Sequence, residues 1–206
     1  MPLAMKALDL ASSSLPSKDP KLGWCFNEAA ECHHQSRSFD KALGLYESAA
    51  DIFRHHLPKE SISLSTVNHH LALLYNDIEQ NDKAVELMTE SIKISKQNLP
   101  ENHHEIAESL VTLGGILFYK NDFDEAVVHL ESGLSILREE LPSSPFTATG
   151  LYYLAFIEME RNQLVEAQRH ATQCLRLRQE IFLKDDNAII CAQELVHEIE
   201  HTLATL

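Results

Sequence analysis

The dipeptide Leu-Pro stands at residues 15–16, 57–58, 99–100 and 141–142, four times on a constant 42-residue step. A step held over three intervals marks an internal repeat, and a unit of that length is one supersecondary element that buries its apolar face by stacking on copies of itself. Ala42, Ala84 and Ala126 lie fifteen residues before the last three dipeptides and close the near-copies FDKA, NDKA and FDEA. A fourth copy, LVEA at 164–167, arrives one residue early, which predicts a shortened loop around Pro145.

Each period divides into two segments with apolar residues at steps of three and four, as in HEIAESLVTLGGILFYK (104–120) and FDEAVVHLESGLSILREEL (123–141). That spacing is helical, and the proline closing each period cannot continue the ladder. Six glycines and seven prolines are too few for a many-stranded sheet, so the chain is all-α. Small residues recur where helices must approach: Ala30, Ala72, Gly114 and Ala155 in the first helices; Ala42, Ala84, Ala126 and Ala167 in the second; and Ala49, Ser91, Gly133 and Cys174 seven residues further on.

This pattern resembles the tetratricopeptide repeat, best in LALLY at 71–75 and LGGIL at 113–117, and its 42-residue period resembles the variety in kinesin light chains and nephrocystin-3-like proteins. His33, Leu117 and Glu158 stand where the family prefers tyrosine, and Asn81 replaces a bulky aromatic. The resemblance implies a right-handed superhelical solenoid of antiparallel helix pairs, one domain over 1–206. Its parts are an orphan second helix at 1–16, four repeats at 20–58, 60–100, 102–142 and 145–183, and a capping helix at 186–205.

The resemblance further implies a concave groove lined by the first helices and receiving a peptide. Carried over by register, its lining is Trp24, Asn27, Glu31 and His34 in repeat one and His69, Leu73 and Asn76 in repeat two. Repeat three supplies Val111, Gly115 and Phe118, and repeat four Tyr152, Phe156 and Met159. The lining runs from polar to aromatic, so the expected ligand places apolar anchors on repeats three and four and basic or polar groups toward Asn27, Glu31, His69 and Asn76. Gly115 is expected to let a partner approach the backbone. Phe156 and Met159 are equally placed to pack against a second helix or the cap. Relatives that grip acidic chaperone tails use lysine, arginine and asparagine at set groove positions; those places here hold Asn27, Glu31, His70, Glu108 and Thr112, so no such clamp is expected.

A net charge of −14 repels a phosphate backbone and points to a protein or peptide partner rather than nucleic acid. Arg169, Arg176 and Arg178 read as a solvated helix face. No run of residues is long and apolar enough for a membrane span and no secretory leader is visible, so a cytoplasmic location is expected. Cys25, Cys32, Cys174 and Cys191 lack paired spacing and read as reduced, mostly packed thiols. HEIEH at 197–201 matches the zinc-peptidase pattern, yet no usual third ligand follows it and Leu195, Ile199 and Leu203 give it a buried stripe. No phosphate-binding, dinucleotide or nucleophile motif occurs, so neither cofactor, metal nor catalysis is expected. The expected function is a non-catalytic adaptor. The alternatives are a structural subunit of a larger complex or a homo-oligomer self-associating through residues 1–16, and, more remotely, a peptidase using His197, Glu198 and His201. Twelve histidines add the expectation that binding of a basic peptide weakens below about pH 6.5.

Overall fold

The computed structural model describes residues 2–183 and 186–205, and in them the chain forms ten α-helices and no strand. Helix α1 (Pro2–Ser14) precedes the hairpins α2 (Pro20–Gln35) with α3 (Phe39–His56) and α4 (Ile62–Asp77) with α5 (Asn81–Asn98). Then come α6 (His104–Tyr119) with α7 (Phe123–Glu140), α8 (Pro145–Glu160) with α9 (Leu164–Ile181), and the single helix α10 (Asn187–Ala204). The helices group into two compact units, dividing between Pro100 and Glu101.

The repeat is written into the helix ends. Each first helix, and α10, opens on a residue whose side chain accepts a backbone N–H of the first turn: Asp19, Ser61, His103, Ser144 and Asp186. This satisfies one of the four donors that a helix start leaves unpaired. The four first helices of the hairpins also end alike. Ser38, Gln80, Asp122 and Gln163 donate their N–H back to the carbonyls of His33, Tyr75, Leu117 and Glu158 at 2.8–2.9 Å. The residue before each donor is left-handed: Arg37 (φ 57°), Glu79 (61°), Asn121 (64°) and Asn162 (59°). Glycine is the usual occupant of such a cap, and here none is used.

Leu57 and Leu99 end their helices in extended backbone ahead of proline. Leu141 instead takes ψ 63°, and α8 starts from Ser144, 41 residues after the cap of α6. The connection is one residue shorter there, as the early LVEA copy implies.

In the first unit Ala30, Ala42, Ala49, Ala72 and Ala84 are fully buried, so the helices approach closely around Tyr46, Phe53 and Met88, also fully buried. Each such large side chain contributes about 1.5–3 kcal/mol. Ser65, Ser91 and Ser95 add a satisfied buried hydroxyl cluster between α4 and α5, with contacts of 2.8–2.9 Å. Leu8 and Ala11 of α1 pack on Leu22 and Ala29 of α2, while Leu3 and Leu10 stay exposed. In the second unit Gly114 and Gly133 mark the tightest approach: a Cβ would lie 2.5 Å from Leu130 Cγ at the first and 2.8 Å from the Ala107 carbonyl oxygen at the second. Leu195 and Ile199 seat α10 on Ala155, Ala167 and Ala171. Arg178 donates to the Ala188 carbonyl at 2.6 Å, tying α9 to the first turn of α10.

Candidate functional site

On the first unit the α2 and α4 faces meet through polar side chains. His70 Nδ1 donates to Asn27 Oδ1 at 2.9 Å, and His34 Nε2 donates to Asp77 Oδ2 at 2.8 Å. Each pair is 43 residues apart, one repeat and one residue, so a single geometric relation is used twice. Asn27, expected on an open groove, is 1% exposed because it bridges the two helices. Burial pushes His69 down to about 4, helped by the neighbouring His70, and burial also lowers His70 against the opposing charge of Glu28.

Tyr46 lies beneath, its ring 5.6 Å from His70 and 6.3 Å from His34. Its hydroxyl is buried with no protein partner, and burial, with Glu31, Glu28 and Cys32 nearby, holds it above the usual phenol range. The Asn76 amide oxygen is also buried without a partner, and Gln35 donates to Glu31 at 3.2 Å. Trp24 sits at the rim on Phe53, 5.4 Å between rings and 37% exposed, and Leu73 is half-buried. Much of the polar face expected to meet a ligand is therefore spent joining α2 to α4.

The second unit carries an aromatic cluster on α6 and α8. Phe118 is its hub, with ring centroids 4.9 Å from Tyr153, 5.2 Å from Phe156 and 5.5 Å from Tyr119. Tyr119 hydrogen-bonds Tyr153, whose hydroxyl is raised above the phenol range by burial first and by that bond second. Tyr119 is 57% exposed, so the cluster opens to solvent at its edge. Tyr152 lies toward α9 and α10, with the Arg178 guanidinium 4.6 Å from its ring centre and its phenol raised by burial.

Besides Asn27, two expected groove residues need correction, Val111 and Gly115. Val111 is fully buried, its Cγ2 2.9 Å from the place a Gly133 Cβ would take, because this position faces the hairpin interior. The space above Gly115 is filled by Tyr153, whose Cε2 lies 2.8 Å from where a Cβ would stand, so the missing side chain admits a neighbouring helix. Phe156 and Met159 are half-buried and, like Tyr152, rest on the core of Ala155, Ala167, Ala171, Leu195 and Ile199, the alternative their positions allowed, while Phe156 also reaches the Phe118 ring. Tyr119 and Tyr153, which the register did not select, are the residues that define this face. Each lies one position beyond a selected residue, Phe118 and Tyr152.

His197, Glu198 and His201 lie exposed on α10, the two histidines across from Leu195 and Ile199 and Glu198 on the flank of that stripe. Among the described residues the one group of three potential metal ligands brought within 4.8 Å is His103, His104 and Glu105. Two of its rings are stacked 4.5 Å apart at 24°, and parallel rings cannot aim their in-plane lone pairs at one ion. His103 Nδ1 is further engaged by the Glu105 N–H at 3.3 Å. All four cysteines are free thiols; Cys174 is buried and burial raises it to about 11, whereas Cys191 is exposed.

Residues 63–139 match the family described as Tetratricopeptide repeat. That stretch, from α4 into α7, carries the tetratricopeptide repeat. Among solved structures it is similar to the nearly identical TPR-like repeats of a putative kinesin light chain from Podosopora anserina, at 22% identity over 91% of this chain and 89% of that one, with a TM-score of 0.73. BtubC (BKLC) from P. vanneervenii is 20% identical over 98% and 87%, TM-score 0.69, and the apo form of RapI is 17% identical over 98% and 75%, TM-score 0.75. At these identities the likeness establishes the tetratricopeptide fold. No curated protein matches the sequence. No described helix is long and apolar enough to cross a membrane.

Proposed function

We propose that this protein is a non-catalytic adaptor that receives a peptide segment of a partner protein on its first-helix faces, with the apolar anchors on repeats three and four. The observation that carries the reading is the open-edged aromatic cluster of Phe118, Tyr119, Tyr153 and Phe156. Aromatic side chains with one face packed and one face wet are the residues that dominate protein interfaces. Tetratricopeptide repeats are interaction modules in general.

The test is affinity capture of partners by the wild-type chain, by Tyr119→Ala, and by Lys41→Ala on the exposed side of α3. Partners held by the wild type and by Lys41→Ala but lost with Tyr119→Ala are the expected result. Capture indifferent to Tyr119 overturns the reading.

A second reading has its own observation. Leu3 and Leu10, seven residues apart on α1, are 83% and 68% exposed and form an apolar stripe suited to self-association. Sedimentation that is unchanged by Leu3→Ser with Leu10→Ser removes it.

A further inference from the structure

We propose that the segment received by α6, α8 and α10 is basic, with a Lys or Arg side chain over the exposed Tyr119 ring and its neighbours facing a carboxylate rim; this rests on the peptide-binding reading above.

The charge of the chain is unevenly divided. Residues 1–100 hold ten Lys and Arg against thirteen Asp and Glu, while residues 101–206 hold seven against eighteen. The second unit thus carries −11 of the total −14. Its basic side chains are largely engaged elsewhere. Arg161 pairs with Asp124, Lys120 with Asp122 at 3.1 Å, and Arg176 with Glu180 at 3.8 Å. Arg178 is 7% exposed and committed to the Ala188 carbonyl.

The repeat step places acidic groups in register with the aromatic cluster on the helices that follow. Glu160 occupies on α8 the register position of Tyr119 on α6, 41 residues earlier. Glu194 and Glu198 occupy on α10 the positions of Tyr152 and Phe156, 42 residues earlier. All three are exposed. On the first unit the corresponding contact is direct, since Asp77, 42 residues before Tyr119, is the group that binds His34 of the preceding first helix. Aromatic faces are electronegative and attract guanidinium or ammonium groups, and exposed carboxylates one turn apart extend that field across the face. The protein already uses the same contact internally, Arg178 over Tyr152. An acidic segment would meet the same rim as repulsion, which sets the sign of the preference.

The test is selection of a random twelve-residue peptide library on the full chain, with Tyr119→Ala as counter-selection. Tyr119-dependent peptides of net positive charge are expected. A synthetic copy of the best of them should bind Glu194→Lys with Glu198→Lys about tenfold more weakly at low ionic strength, with the gap closing near about 0.5 M salt. Circular dichroism confirms that the double variant is folded. Tyr119-dependent peptides that are neutral or acidic, or binding unaffected by the two reversals, overturn the basic preference while leaving the docking face in place. Absence of any Tyr119-dependent peptide overturns the docking face itself, and this inference with it.

Discussion

Gly44 and Gly133 both lie inside second helices, and the same substitution should move stability in opposite directions at the two. Alanine in place of glycine inside a helix gains about 0.5–1 kcal/mol from propensity and reduced unfolded-state entropy. A Cβ at Gly44 meets nothing within 4 Å, so Gly44→Ala realises that gain. At Gly133 the Cβ would stand 2.8 Å from the Ala107 carbonyl oxygen and 2.9 Å from Val111 Cγ2. The obstacle is backbone of the facing helix, which cannot rotate aside, and overpacking of that kind costs about 1–3 kcal/mol. Gly133→Ala is therefore net destabilising by up to about 2 kcal/mol. Because the propensity gain is common to both, the difference between the variants isolates the overpacking cost. Ala49, Ser91 and Cys174 fill the same register position elsewhere, so relaxation toward their hairpin spacing holds the cost within that range. The assay is urea unfolding followed by helical ellipticity, with thermal melts as a second readout at about 2–4 °C per kcal/mol for a chain of this size. Variants that shift together, or a Gly133→Ala more stable than wild type, would refute the close approach of α6 and α7.

The other predictions are brief. His69 is neutral when folded, with a pKa depressed to about 4, so its stabilisation is complete above the unfolded value near 6.5 and declines as pH falls toward 4; the loss is up to about 3 kcal/mol. Trp24, the sole tryptophan, reports the first unit, and its fluorescence-monitored unfolding midpoint should fall between pH 7.5 and 5, less so in His69→Gln. Tyr46→Phe removes a buried hydroxyl without a protein partner and should raise stability by about 1 kcal/mol in urea unfolding; a loss of that size contradicts the burial account. Glu79→Gly relieves a left-handed position and should stabilise by up to about 1 kcal/mol, whereas the same change at the right-handed Glu86 should destabilise. His197→Ala with His201→Ala, both on the wet side of α10, should alter the melting midpoint by no more than about 0.5 kcal/mol equivalent, with or without chelator.

The helices were legible because the repeat is written in residues whose physics is local. Proline stops the second helices, and small residues at 42-residue steps permit close packing, which the burial of Ala42, Ala84, Ala126 and Ala167 bears out. The one-residue shift at LVEA foretold the short connection before α8. The turns inside each hairpin were less legible, because Arg37 and Glu79 hold left-handed positions that glycine would have announced. The site was partly legible: Phe118 and Tyr152 were selected, yet a face chosen by register alone is uncertain by one residue, or 100° of helix. Tyr119 and Tyr153 were passed over because each stands one residue beyond a selected position, whereas Val111 proved to be core because α7 packs against it at Gly133. Pairings such as His34 with Asp77 join residues 43 apart, and no local pattern in the sequence announces them.

The most direct measurement is the set of amide shift changes in the isotopically labelled full chain as a Tyr119-dependent peptide is titrated in. Changes concentrated at Gly115, Tyr119, Tyr153 and Glu160, the facing turns of α6 and α8, are what the account predicts. Changes confined to α7 and α9, or to α1, would show that the partner docks elsewhere and that the aromatic cluster serves packing alone.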